Sequence, residues 1–226
     1  YPLRRQRQMC IRDRLNVIKP YIGYPDELPE RYSRKVVDEN LTLFENAQKL
    51  SQIDIAYSWS KWNQPVDYKE WGMPAHMVNA YYNPQKNLIV FPAAILQAPF
   101  YDLHQSSSAN YGGIGAVIAH EISHAFDTNG ASFDENGSLN NWWTEHDYQA
   151  FTERTKKVID QFEGQDSYGA KVNGKLTVSE NVADLGGIAA ALKAAKKEAD
   201  FSAEEFFTNF ARIWRMKGRE EYMKLL

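Results

Sequence analysis

The sequence predicts a mainly helical α+β fold with one small β-sheet. Three observations carry that expectation. Apolar residues recur at helical spacing in several long windows, the best strand candidates are two short runs, and the apolar stretch from Gly115 to Phe126 is helix-compatible throughout. The chain has 226 residues and an apolar fraction of 43%, enough for one large domain or two small ones. Six Trp, 13 Tyr and 11 Phe suit large buried faces, and equally a groove that holds peptide side chains. A net charge of -3 argues against a polyanion-binding surface, so nucleic acid is not an expected partner. No run approaches the roughly 18 apolar residues of a membrane span, and no secretory signal is present. Cys10 is the only cysteine, which forbids an internal disulfide. The lone cysteine fits a reducing compartment or a bacterial protein without disulfides, and the expected location is the bacterial cytoplasm, with an extracellular or cell-surface location as the alternative.

Residues 1–14 hold five arginines without a clear period, and MCIRDR resembles translated sequencing-adapter sequence. They read as a non-native or disordered junction, which leaves 15–226 as the folded part. Pro20, Gly23, Pro25 and Pro29 then mark turns. Residues 30–50 read as a helix with Val36, Val37, Leu41, Phe44 and Leu50 on its apolar positions, extended by 53–61. Trp59, Trp62, Pro65 and Trp71 suggest an irregular packed segment that ends at Pro74. Residues 77–82 and 88–91 are the strand candidates, joined by the turn composition Asn83-Pro84-Gln85-Lys86-Asn87. Such a hairpin serves either the core or, through an open edge, an extended peptide. Residues 104–113 read as a loop or short turn. Helices are expected over 144–162, from Thr177 onward, and over 203–214, with a short strand within 171–176.

The chemistry-bearing stretch is His120-Glu121-Ile122-Ser123-His124. Residues four apart share a helix face, so His120 and His124 can aim two imidazoles at one metal ion. Glu121 follows close enough to reach a water there. Zinc lowers the pKa of bound water, and a carboxylate can take the proton, so this spacing supplies ligands and base together. A surface helix with two solvated histidines is the plain alternative.

A catalytic zinc takes three protein ligands and keeps a position open. The candidate for the third is Glu180, in Ser179-Glu180-Asn181-Val182-Ala183-Asp184. A helix puts Glu180 and Asp184 on one face, and Leu185-Gly186-Gly187 allows close packing against another helix. Asp184 can then accept the free ring hydrogen of a ligand histidine. The competing assignments are a capping box between Thr177 and Glu180, and a surface ion pair for Asp184. His104 and His146 read as surface residues, and His76 as a packing residue.

With these residues the chain resembles the neprilysin-type (M13) zinc endopeptidases, and among them the bacterial oligoendopeptidase O group. Asn79-Ala80-Tyr81-Tyr82, the His120–His124 motif and Glu180-Asn181-Val182-Ala183-Asp184 carry the likeness. Val90-Phe91-Pro92-Ala93 and Asn110-Tyr111-Gly112-Gly113-Ile114-Gly115 lie between them in family order. The resemblance implies a truncated thermolysin-like catalytic domain with one Zn2+ per chain held by His120, His124 and Glu180. It implies Glu121 as general base, Asp184 hydrogen-bonded to His120, and Asn79 with the Ala80 backbone holding the substrate main chain. Oligopeptides cut on the amino side of large hydrophobic residues are the implied substrates. Members of the family are about three times as long, and a helical domain, mostly preceding Leu15, closes over their groove. They also place an oxyanion-steadying histidine and a substrate-binding arginine after the segment Phe206–Trp214, beyond this chain, so the chain alone is expected to be weak or inactive. The competing functional expectations are another zinc hydrolase such as an amidase, and a non-catalytic module in which zinc ties two helices.

Overall fold

The computed structural model describes residues 11–140 and 142–224. Cys10 and the first part of the expected junction lie outside the described residues. Two compact units form, one from the segments up to Gly23 and from Ala75 onward, the other from Tyr24–Pro74. In chain order, residues 11–16 are helical (α1), followed by β1 (Lys19–Gly23), α2 (Arg31–Arg34), α3 (Leu43–Ser60), β2 (Tyr81–Asn83) and β3 (Leu88–Pro92). Then come α4 (Ser107–Asn110), α5 (Ala116–Ser123), α6 (Glu145–Phe162), the two-residue strands β4 (Asp166–Ser167) and β5 (Ala170–Lys171), α7 (Gly174–Ala195), α8 (Ala203–Ile213) and α9 (Glu220–Met223). The fold is mainly helical with a small sheet, as the sequence predicts. No described helix is long and apolar enough to cross a membrane.

In the unit Tyr24–Pro74 the helix expected over 30–50 is instead two helices. Turn chemistry wins over periodicity. The Asp38 carboxylate accepts from the Asn40 N–H (3.0 Å), and Thr42 starts α3 through a full capping box with Glu45. Within this unit Arg31 lies 4.4 Å from the Tyr57 ring centroid and pairs with Glu70 at 3.6 Å.

The larger unit holds the three-stranded sheet, in the order β1-β3-β2. β3 is buried along its whole length, as a continuous apolar run in a central strand should be. β2 pairs antiparallel to it, Tyr81 opposite Val90, so the expected hairpin forms. It is shorter than 77–82, because local bonds take the donors of residues 79 and 80: Asn79 N–H donates to Met77 O (3.0 Å), and the Asn79 side-chain oxygen takes the Ala80 N–H (2.9 Å). β1 runs parallel to β3, Lys19 opposite Leu88, where the sequence suggested only turns. Arg14, within the expected junction, is 1% exposed. Its guanidinium donates to the carbonyls of Ala125 (3.1 Å), Phe133 (2.5 Å) and Asp134 and to the Tyr82 hydroxyl (2.7 Å).

α6 begins after its Thr144 cap, where expected, and α8 after Ser202. The 104–113 segment is more ordered than a loop: α4 passes into a π-helical stretch, Tyr111–Gly115, that leads directly into α5. The strand expected within 171–176 is the β4–β5 hairpin, which ends at Lys171. α7 starts three residues earlier than Thr177, because the Asn173 side chain caps it on Leu176 N–H (3.0 Å). Thr177 therefore sits inside the helix and bonds back to the Asn173 carbonyl (3.2 Å). Glu180 is left without a capping task.

One core joins the sheet to α5 through Ile89, Phe91, Ile95, Ile114 and Val117. A second joins α5, α7 and α8 through Ala116, Ala191, Ala195 and Phe206. On α7, Ala183, Gly187 and Ala191 recur four apart and are all buried. Gly187 is the limiting contact: a Cβ there would stand 2.7 Å from His120 N and 2.8 Å from its Cα. At Gly186 a Cβ would meet the Ser123 side chain, its Oγ at 2.8 Å and its Cβ at 3.3 Å, rather than backbone, and the hydroxyl can rotate away at the loss of its bond to the Ala119 carbonyl. Gly187→Ala is therefore expected to cost about 1–3 kcal/mol through overpacking, more than its gain of up to about 1 kcal/mol in helix propensity. Gly186→Ala should cost less. Thermal melts of both variants check this, and a Gly187→Ala chain as stable as wild type would show that α5 and α7 are not limited by backbone contact.

Candidate metal centre and cleft

On α5 and its continuation, Val117, His120, Glu121 and His124 fall at i, i+3, i+4 and i+7, one helix face, and all four line a cavity of about 800 Å³. The helix ends in a tight 3-10 turn, His124–Phe126. α7 crosses this face at Gly187 and brings the carboxylate of Glu180 to it. Glu180 Oε2 lies 3.3 Å from His120 Nε2 and 3.5 Å from His124 Nε2, and the two Nε2 atoms are 2.9 Å apart. These three side chains each offer one donor atom, and the atoms lie within 4.8 Å of one another. Zinc bound tetrahedrally to such donors at about 2.0–2.1 Å spaces its ligands about 3.3 Å apart, so the donor set fits that ion.

Each imidazole is held from behind. Asp184 Oδ1 is 2.8 Å from His120 Nδ1, and Asp127 Oδ2 is 2.6 Å from His124 Nδ1. Carboxylates at both Nδ1 atoms favour the tautomer that carries hydrogen there and directs each Nε2 lone pair at the common point. Asp127 is buried, and its two oxygens also accept from Ser179 Oγ (2.5 Å) and from the N–H groups of Asn129 and Gly130 (2.7 Å each).

The electrostatics follow from burial set against hydrogen bonding. Burial alone disfavours both imidazolium ions, but the bonds to Asp184 and Glu180 outweigh it at His120 and push its pKa up to about 9. At His124 burial is likewise overcome by Asp127 and Glu180, to about 10. Glu180 is held far below the usual carboxylate range by its bonds to the two histidines. Glu121, 6% exposed, goes the other way: burial raises it, against the nearby imidazoles, which lower it. Burial also raises the Asp127 carboxyl, but hydrogen bonds from His124 and Ser179 bring it below its ordinary value.

Of the residues singled out in the sequence, His120, His124, Glu180 and Asp184 meet directly, while Glu121, Asn79 and Ala80 line the same cavity. Asn79 and Ala80 lead into β2, an edge strand that pairs with no described strand other than β3 and whose Tyr82 N–H donates to the Glu121 carboxylate. His104 and His146 are exposed, as expected, and His76 is exposed rather than packed, outside the cavity lining. Sequence reasoning missed Asp127, although a carboxylate three residues after His124 was a usable signal. It also missed Ile95, Phe100, Phe210 and Trp214, which line the apolar side of the cavity and come from two separate segments, the stretch before α4 and α8 with its cap.

Comparison with known proteins agrees with this geometry. The model of peptidase family M13 matches residues 79–225. A Streptococcus gordonii protein, named as a zinc metalloproteinase of the scaA 5' region, is 97% identical over 193 residues, 85% of this chain and 34% of that protein. The neutral endopeptidase of Lactococcus lactis subsp. cremoris is 56% identical over 95% of this chain and 34% of its own length. The crystal structure of PEPO from Lactobacillus rhamnosis HN001 (DR20) superposes with a TM-score of 0.89 at 44% identity, covering 96% of this chain and 34% of that one. The chain thus spans about a third of the length of the relatives it matches. A family match over most of the chain, together with relatives at these identities, settles its kinship: it belongs to peptidase family M13, the zinc metalloendopeptidases, close to the bacterial oligoendopeptidase O proteins.

Proposed function

We propose that this chain carries the metal centre of a zinc-dependent endopeptidase that hydrolyses oligopeptides. The observation that supports it most is the convergence of His120, His124 and Glu180 on one point of a cavity that also contains Glu121 and adjoins the edge strand of the sheet. In this reading one Zn2+ binds to the three side chains and, when bound, supplies Lewis acidity to water and to the scissile carbonyl. Glu121 takes a proton from the attacking water as its oxygen bonds to the carbonyl carbon. It returns a proton to the leaving amine as the C–N bond breaks. Its upward shift by burial suits a group that must both accept and give a proton near neutral pH. Asp184 orients His120. Asn79 and the Ala80 backbone hold the peptide main chain along the edge of β2. Ile95, Phe100, Val117, Phe210 and Trp214 offer an apolar pocket to the residue after the scissile bond, which supports cleavage on the amino side of hydrophobic residues.

A zinc that only ties helices together has a closed shell of protein ligands. Here the Glu180 side chain is 67% exposed, at the cavity, which favours an open coordination position and the enzyme. Among the described residues the cavity lining offers an oxyanion no cation besides the imidazoles. Loss of one dedicated oxyanion donor typically costs about 3 kcal/mol, so slow turnover is proposed for this chain by itself. Closure of the groove by a helical domain in a longer protein belongs to the same proposal.

Glu121→Gln should keep zinc binding and abolish turnover. Zinc content by elemental analysis and cleavage of a hydrophobic oligopeptide followed by mass spectrometry test this, and turnover that survives in the variant removes Glu121 from the role of base. The pH dependence has a definite sign. Both histidines are raised in the folded, metal-free chain, so the stability they contribute is complete below the unfolded value of about 6.5 and is lost as pH rises through about 9 and 10. The melting temperature of the metal-free chain should therefore fall between pH 6.5 and 10, while zinc affinity rises as the protons leave. In a His120→Gln, His124→Gln chain that fall should largely vanish; an equal fall would assign it to other groups.

A further inference from the structure

α7 is pinned to α5 at Gly187, but Glu180 lies seven residues earlier, about 10 Å along the helix. Closer to Glu180, Asp184 meets His120 Nδ1 at 2.8 Å, and Val178 and Ala183 are buried. The attachment adjoining Glu180 itself is polar. Ser179 Oγ donates to Asp127 Oδ2 (2.5 Å) and accepts from Asn129 Nδ2 (3.2 Å), while the Asn129 N–H donates to Asp127 Oδ1 (2.7 Å). The three residues close a ring, and Asp127 Oδ2 is also the atom that holds His124 Nδ1. One oxygen thus receives a donor from the helix of Glu180 and a donor from a neighbouring imidazole.

We propose that Ser179 is a positioning residue of the metal centre, whose hydroxyl registers the Glu180 end of α7 against the Asp127–His124 pair. The inference rests on the reading of His120, His124 and Glu180 as metal ligands. Both hydrogen-bonding capacities of the hydroxyl are used. Alanine would leave Asp127 Oδ2 with one donor and the Asn129 amide without its acceptor, while threonine keeps the hydroxyl.

The test is metal binding by the full 226-residue chain, measured by Zn2+ competition against a chelator and by the visible absorption of bound Co2+. Ser179→Ala is expected to weaken Zn2+ binding about 10-fold or more, within the range for residues that orient metal ligands. It should also shift the Co2+ bands while leaving the melting temperature of the metal-free chain near wild type. Ser179→Thr should restore both affinity and spectrum. Unchanged affinity and bands in Ser179→Ala overturn the proposal, as does a loss that threonine fails to restore. Should Ser179→Ala fold poorly, Asn129→Ala opens the same ring from its exposed side, and no loss of affinity there overturns it equally. A wild-type chain that takes up neither ion sinks the metal-centre reading and this one with it. Uptake lost in His124→Ala but kept intact in Ser179→Ala sinks this one alone.

Discussion

The contact between Gly187 and the backbone of His120 governs the geometry of everything around the centre. Two histidines four apart need only a helix. A third donor from a different helix needs that helix at a fixed and small separation. Ordinary helix pairs stand about 8–10 Å apart according to the side chains between them. Here the face of α7 that meets α5 is built from Ala183, Gly187 and Ala191, so the axes approach until backbone meets backbone. Atoms of the main chain cannot rotate away, and the approach therefore has a hard stop. That stop sets Glu180 3.3 Å from one imidazole and 3.5 Å from the other.

Close approach has an electrostatic consequence. Asp127, Glu121, Glu180 and Asp184 gather around two imidazoles, and two of the four carboxylates are buried. Uncompensated, such burial would be expensive. Asp127 is compensated by four hydrogen bonds, and Glu121 by the nearby imidazoles and the backbone N–H of Tyr82, while the exposed Glu180 meets the histidines directly. Without a metal, protons on His120 and His124 balance the acids. A divalent cation offers the same balance from one point, and it must displace those protons to do so. The raised histidines and the lowered Glu180 are thus two views of one interaction, the demand of this acid cluster for positive charge.

Local chemistry was legible in the sequence, and long-range partnership was not. The bounds of α6 followed from Thr144 and the period after it, and the face of α5 followed from spacing alone. The start of α7 was misplaced because Thr177 and Asn173 are both good caps, and only the chain path before Gly174 selects Asn173. The helix expected over 30–50 split because Asp38 and Thr42 bind nearby backbone, a preference that an apolar count does not register. β1 could not be foreseen. Its alignment comes from β3, some 70 positions away, and Pro20 within it argues against a strand everywhere except at an edge. The motif around Glu180 suggested the third donor, yet its meeting with His120 depends on a contact between helices that no spacing within one helix encodes.

The cavity has two walls held by different means. The wall with the donor atoms depends on α5, α7 and the Asp127 hydrogen bonds. The apolar wall depends on α8 and the segment before α4. Asn209, 2% exposed on α8, donates its amide hydrogens to the carbonyls of Pro99 (3.0 Å) and Ala109 (2.7 Å), and the Ile114 N–H donates to Phe100 O (2.7 Å). These bonds tie the segment of Phe100 to α8, which carries Phe210 and ends at Trp214, and all three line the cavity. At Gly112 the same helix comes so near that a Cβ would overlap the Phe206 carbonyl. Among the described residues both walls share α5, which with its continuation gives Val117 to one and His120, Glu121 and His124 to the other. The apolar wall and the donor atoms thus meet on one helix, and the core that Phe206 of α8 shares with Ala116, Ala191 and Ala195 couples the two, so a change on α8 that reaches Phe206 also bears on the helix that carries Glu180.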